Sequence, residues 1–145
     1  MKSLLSSWQL WALLSAAFAA LTAIFAKVGV ENVGSDFATF IRTIVILCAA
    51  AAILTLTGQW QPLNSVAPRS YVFLILSGLA TGGSWLCYFR ALKLGDAARV
   101  APIDKLSVVL VAIFGAVFLG EKLTPQNWIG VALIAAGAIL VAFRI

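Results

Sequence analysis

Five stretches of this chain run for about 20 residues almost without charge, which is the length an α-helix needs to cross a bilayer. The windows fall at about 8–28, 36–57, 71–94, 97–119 and 125–143, each bounded by helix stop signals. Trp8 and Trp11 mark one interface of the first window and Lys27 the other, with Gly29 placed as a C-terminal cap. Residues 32–35 make the turn into the second window, where Ser35 or Asp36 is expected as N-cap. Gly58 ends that window, and a polar loop with Trp60, Pro62 and Pro68 follows. The third window opens after Ser70 and closes on Gly95, and Asp96 is expected to cap the fourth. Thr124 as N-cap with Pro125 at the first helical position gives the fifth the clearest start. No window alternates with the period of two that a transmembrane barrel requires. The fold class expected is therefore an all-α integral membrane protein, a five-helix bundle forming one domain over residues 1–145.

Composition excludes the competing classes. The chain is 63% hydrophobic and 10% charged, against roughly 45–50% and 25% in soluble domains. It has no histidine, and Cys48 and Cys87 lie in apolar runs without C-x-x-C spacing, so neither a metal site nor histidine catalysis is expected. The glycines form no phosphate loop, and no nucleophile, base and orienting partner cluster is visible, so no cofactor and no enzyme activity are expected. A net charge of +5 would suggest nucleic acid for a soluble chain. Here the cations are scattered singly at helix ends, as topology signals and anchors in the lipid bilayer, and no nucleic-acid partner is expected. Met1 and Lys2 before an apolar run resemble a secretory signal, but the run continues to Ala26, beyond the roughly 7–15 residues of a signal core.

Polar side chains inside the spans are costly against lipid and should face a bundle interior or wet cavity. In the third span Ser77, Thr81, Ser84 and Tyr88 follow helical spacing and share one stripe, with Trp85 beside it. Small hydroxyls also bond their own backbone, which is the ordinary reading of Ser77 or Thr81 alone. The full stripe with a tryptophan points to a lined cavity. Three ionisable residues fall within spans: Arg42, Asp104 and Lys105. Arg42 lies roughly 9 Å into the second span, so snorkelling to the headgroups competes with a binding role. Asp104 and Lys105 follow Pro102, which should kink the fourth helix or open its first turns. Neighbours on a helix diverge by about 100°, so a simple ion pair between these two is not expected. Arg42 and Lys105 enter from the same membrane side and together favour an anionic group such as a carboxylate. The fifth span carries small residues at Gly130, Ala132, Ala136 and Gly137 and reads as a packing helix.

Five spans place the termini on opposite sides, so tandem duplication, or pairing of two oppositely inserted copies, would produce an inverted repeat. Lys2, Arg69 and Lys122 lie on one side; Lys27, Lys93, Arg99 and Arg144 lie on the other, with Arg42 and Arg90 near it. Neither side dominates clearly, although counting Arg42 and Arg90 turns the amino terminus outward.

From the third span onward, Tyr88-Phe89-Arg90-Ala91-Leu92, Val100-Ala101-Pro102, Leu119-Gly120-Glu121-Lys122-Leu123, residues 126–130 and Ala136-Gly137 occur in an order that resembles the EamA domain of the drug/metabolite transporter superfamily, in particular its single-repeat, five-helix bacterial members. The resemblance spans the chain in helix number and spacing, while the specific motifs cover its C-terminal half. It implies a multi-pass protein of the bacterial inner membrane, a secondary transporter, often an exporter of amino acids or other small-molecule metabolites. Its central cavity would lie between two five-helix repeats, here a homodimer. Tyr88 and Pro102 match positions that line or shape the cavity, and Glu121 and Lys122 match a structural turn. Lys105 maps onto no family-wide binding motif. Two further readings stand beside it. A non-transporting subunit packing against a larger membrane partner is supported by the packing character of the fifth span. A small multidrug-type cation exporter needs a membrane carboxylate, and the first span has none.

Overall fold

The computed structural model describes residues 7–143. Lys2 and Arg144, part of the charge tally across the membrane, lie outside the described residues, as does the start of the signal-like segment. Among the described residues there are no strands, and five helical spans are long and apolar enough to cross a membrane. They are α1 (Trp8–Gly29), α2 (Ser35–Thr57), α3 (Pro68–Leu94), the pair α4 (Ala97–Asp104) and α5 (Ser107–Phe118), and α6 (Pro125–Ala142). A single 3₁₀ turn, Leu63–Ser65, sits in the loop before α3. Their large apolar side chains point outward over most of their length, including Leu56, Phe118 and Leu133. That surface suits hydrocarbon rather than water.

The chain divides into two compact units. One gathers residues up to Lys27 with those from Leu94 onward. Within it α4 and α5 both pack on α6, and small residues on α6 allow the approach, Ala138 and Ala142 being buried. Arg99 ties α4 to the end of α6: its Nε and Nη2 donate to the Ala142 carbonyl at 3.0 and 2.8 Å. Lys27 at the end of α1 donates to the Gly95 carbonyl at 2.9 Å. Both cations satisfy carbonyls near helix ends that lack an intrahelical donor.

The other unit, Val28–Lys93, contains α2 and α3. Here the helix backbones stay apart and long side chains bridge them. Gly58 closes α2 at φ +63, with Gln59 N donating to Leu54 O at 3.1 Å and Gly58 N to Thr55 O at 3.3 Å. This is a Schellman end, and it needs the left-handed backbone that glycine adopts at no steric cost. Thr39, Thr43, Thr55 and Thr57 each turn their hydroxyls back to the carbonyl four residues earlier, so none remains unsatisfied in α2.

Four expectations need correction. The N-cap of α2 is Gly34, extended at φ −61 and ψ 132, because the Ser35 hydroxyl bonds the Asp36 carboxylate instead of a backbone amide. The third span begins earlier, at Pro68, whose fixed φ suits the first helical position. Pro102 leaves the first turn of α4 intact, with Arg99 N and Val100 N both on Asp96 O at 2.9 Å. The break comes three residues later, at Lys105 and Leu106, where Leu106 N reaches only to Ile103 O at 3.0 Å and the turn tightens toward 3₁₀ geometry. Finally, Asp104 and Lys105 do form an ion pair, Nζ to Oδ2 at 3.2 Å. The regular helix ends between them, Lys105 taking φ −71 and ψ −6, and its flexible side chain folds back along the turn.

The start of α6 matches its sequence signal: Thr124 Oγ1 accepts from Asn127 N at 3.3 Å, with Pro125 following. Thr124→Ala is expected to cost about 1 kcal/mol, read as a lower melting temperature in detergent; an unchanged melting temperature would show that this cap contributes nothing. At the end of α5, Gly120 takes φ +68 and Glu121 N reaches back to Gly115 O at 3.0 Å. A β-carbon on Gly115 would stand 2.7 Å from Glu121 Oε2, the movable end of a side chain. Gly120→Ala is therefore expected to lower the melting temperature more than Gly115→Ala, since backbone strain cannot be relieved by swinging one carboxylate aside.

Candidate functional site

The residues singled out by sequence fall into two groups, one in each unit. In the α2–α3 unit, Arg42 lies about 10 Å along α2 from its start. Its guanidinium carbon sits 4.0 Å from the ring centroid of Trp85 and 5.5 Å from that of Phe89, both on α3. Trp85 and Phe89 are four residues apart on one helical face, so the same turn of α3 supplies both rings. Tyr88, half-buried beside them, lies within electrostatic reach of Arg42. No hydrogen bond or ion pair to Arg42 occurs among the described residues. A cation over the face of an aromatic ring is attracted by the ring quadrupole, by about 2 kcal/mol when desolvated. A guanidinium that packs its face on a ring keeps its edge N–H groups for other partners, and a carboxylate can accept two parallel bonds from such an edge.

The hydroxyl stripe is less uniform than its spacing suggests. Thr81 Oγ1 donates to Ser77 O at 2.9 Å, so this hydroxyl follows the ordinary backbone reading. Ser77, Thr81 and Ser84 are exposed along α3, Ser84 next to Trp85 and the other two about one and two turns before it.

In the other unit, the α4–α5 break carries Pro102, Asp104 and Lys105. The Asp104 side chain is 33% exposed and that of Lys105 is 55% exposed, so each holds the other as counter-ion without being deeply buried.

Sequence reasoning missed two features of the α2–α3 seam. Phe89, the second ring over Arg42, was legible in the four-residue spacing from Trp85. Arg90, counted only as a topology charge, makes a two-bond contact with Asp36, Nε to Oδ1 at 3.2 Å and Nη2 to Oδ2 at 2.8 Å. At the opposite end of α2 a shallow cavity of about 540 Å³ is lined by Leu54, Gln59, Trp60, Gln61 and Leu63. The indole of Trp60 donates to Thr55 Oγ1 at 3.2 Å, which fixes the ring at the interface level.

Comparison with known proteins places the chain in a family. An uncharacterized transporter in the cobO 3′ region of a Sinorhizobium species is 72% identical over 136 residues, which cover 94% of this chain and 96% of that protein. An uncharacterized transporter of Vibrio cholerae serotype O1 is 24% identical over 92% of this chain, which spans only 42% of that longer relative. A probable 4-amino-4-deoxy-L-arabinose-phosphoundecaprenol flippase subunit ArnE of Aeromonas hydrophila is 28% identical over 66% of this chain and 94% of its own length. No solved structure matches. Residues 6–143 match the EamA-like transporter family, and the chain, a multi-pass membrane protein, belongs to it.

Proposed function

We propose that this protein is a secondary transporter that exports small carboxylate-bearing metabolites, amino acids among them, across the bacterial inner membrane as a homodimer of five-helix halves. The observation that carries the reading is Arg42 stacked on Trp85 within a membrane span, with no anion paired to it among the described residues. Placing an arginine at depth costs about 2.5–3.5 kcal/mol on insertion scales, so a position that keeps one has a use for its charge. Trp85, Phe89 and Tyr88 shape the apolar wall around that charge, and Ser77, Thr81 and Ser84 continue the same helix as weaker polar contacts. Asp104 and Lys105 form a second charged locus at the broken span, which Pro102 helps to shape.

The dimer rests on two facts. An odd number of spans among the described residues puts the two ends of that segment on opposite membrane sides. The Vibrio relative is more than twice as long as the segment this chain matches, room enough for a second half in one polypeptide. An oppositely inserted copy of these five spans would supply a complementary half. A second reading, a subunit that serves a larger membrane partner, is favoured by the relative named as a flippase subunit; isolation of a stable homodimer that transports unaided would exclude it.

Transport in vesicles tests the site. Arg42→Gln is expected to reduce export of carboxylate-bearing amino acids by at least about tenfold, the size of one charge-assisted hydrogen bond or more. Lys105→Ala should reduce it less, and Lys122→Ala should leave it unchanged at matched expression. If Arg42→Gln and Lys122→Ala behave alike, Arg42 is an anchor at the headgroups and the assignment fails.

A further inference from the structure

We propose that Arg90 is an outer carboxylate-binding subsite, and that Asp36 fills it in place of a substrate carboxylate while the transporter is empty. The proposal rests on the anion-binding role of Arg42 and extends it toward the mouth of the same seam. Arg90 and Asp36 join α3 to α2, as Arg42 and Trp85 do, so both charged contacts lie on one seam. Asp36 precedes Arg42 by roughly 9 Å along α2, and Arg90 follows Trp85 by roughly 7.5 Å along α3. The two contacts therefore lie at successive depths, roughly 7.5–9 Å apart along the helix axes.

The form of the outer contact is that of arginine recognising a free carboxylate: Nε and Nη2 each meet a different oxygen, at 3.2 and 2.8 Å. The Ser35 hydroxyl steadies the same carboxylate at 3.2 Å. Both partners stay open to solvent, with side chains 62% and 60% exposed. Ion pairs in that setting contribute little to stability, so an incoming carboxylate can replace Asp36 at small net cost. The neighbouring cation, Lys93, is engaged by the Val33 carbonyl at 2.9 Å and is not held by a carboxylate. Arg90 and Arg42 together carry two positive charges along the seam against the one negative charge of Asp36. The seam has room for one monoanion. An anion that displaces Asp36 from Arg90 meets Arg42 next, beside the rings of Trp85 and Phe89, where the lower dielectric of the span strengthens the same contact.

The competing explanation is a strut: Asp36 in the first turn of α2 and Arg90 near the end of α3 each also complement a helix dipole. The two explanations predict opposite patterns. With the full chain in nanodiscs, calorimetric titration with 4-nitrobenzoate, and with the neutral 4-nitrobenzamide as control, separates them. Asp36→Asn should tighten 4-nitrobenzoate binding at least threefold by freeing Arg90, while Arg90→Gln should weaken it at least threefold. The double variant should follow Arg90→Gln, and none should alter the response to the amide. Shifts in the same direction for both single variants, or wild-type binding restored by exchanging the two charges, would reduce the pair to a strut and overturn the proposal. Arg42→Gln keeps the two readings distinct. Loss of binding in Arg42→Gln with same-direction shifts at 36 and 90 removes the outer subsite and leaves the inner one. Wild-type binding by Arg42→Gln removes the inner site itself, and no binding by the unaltered protein removes both.

Discussion

A bilayer core offers a polar group no water to bond, and most of this structure follows from how the chain meets that condition. Helices close their own backbone bonds, which is why the spans are helical and why strands are absent among the described residues. Hydroxyls within α2 return to carbonyls four residues back. Helix-end and loop carbonyls, which lack an intrahelical donor, are taken by basic side chains: Lys27 on Gly95, Lys93 on Val33, Arg99 on Ala142. These cations do structural work at the membrane surface, in addition to any part in setting orientation.

Set against that economy, the two irregularities stand out. One is the tightened turn between α4 and α5, three residues beyond Pro102, where Leu106 N bonds the carbonyl three residues back. The other is Arg42. Its stack on Trp85 recovers a large part of the insertion cost, since about 2 kcal/mol of cation–π attraction offsets about 2.5–3.5 kcal/mol of burial.

Span number and helix type were legible in the sequence because hydrophobic length and helix punctuation are local properties. Thr124 with Pro125 gave the start of α6, and Gly58 the end of α2, from residue type alone. What failed depended on competition between partners. Ser35 was a reasonable N-cap until its hydroxyl turned to Asp36. The divergence of neighbouring side chains argued against an Asp104–Lys105 pair, and that argument assumed a regular helix through the residues where the helix ends. For the site, sequence spacing identified Trp85 and Tyr88 but could not pair Arg42 with them, because contact between α2 and α3 depends on tertiary structure. The same limit hid Arg90, whose position near a helix end gave it the appearance of a topology charge.

The organisation of the α2–α3 unit also explains why long side chains rather than close backbones join these helices. Small residues draw α4 and α5 onto α6, as in tightly packed membrane helices. Between α2 and α3 the contacts are made by arginine, tryptophan, phenylalanine and aspartate instead. Side chains of that length hold two helices at a distance and can exchange partners by rotamer changes, without breaking a packed interface. The unit packed through small residues lacks that freedom. The placement of both charged contacts on the α2–α3 seam is the reason to look there for the solute's path.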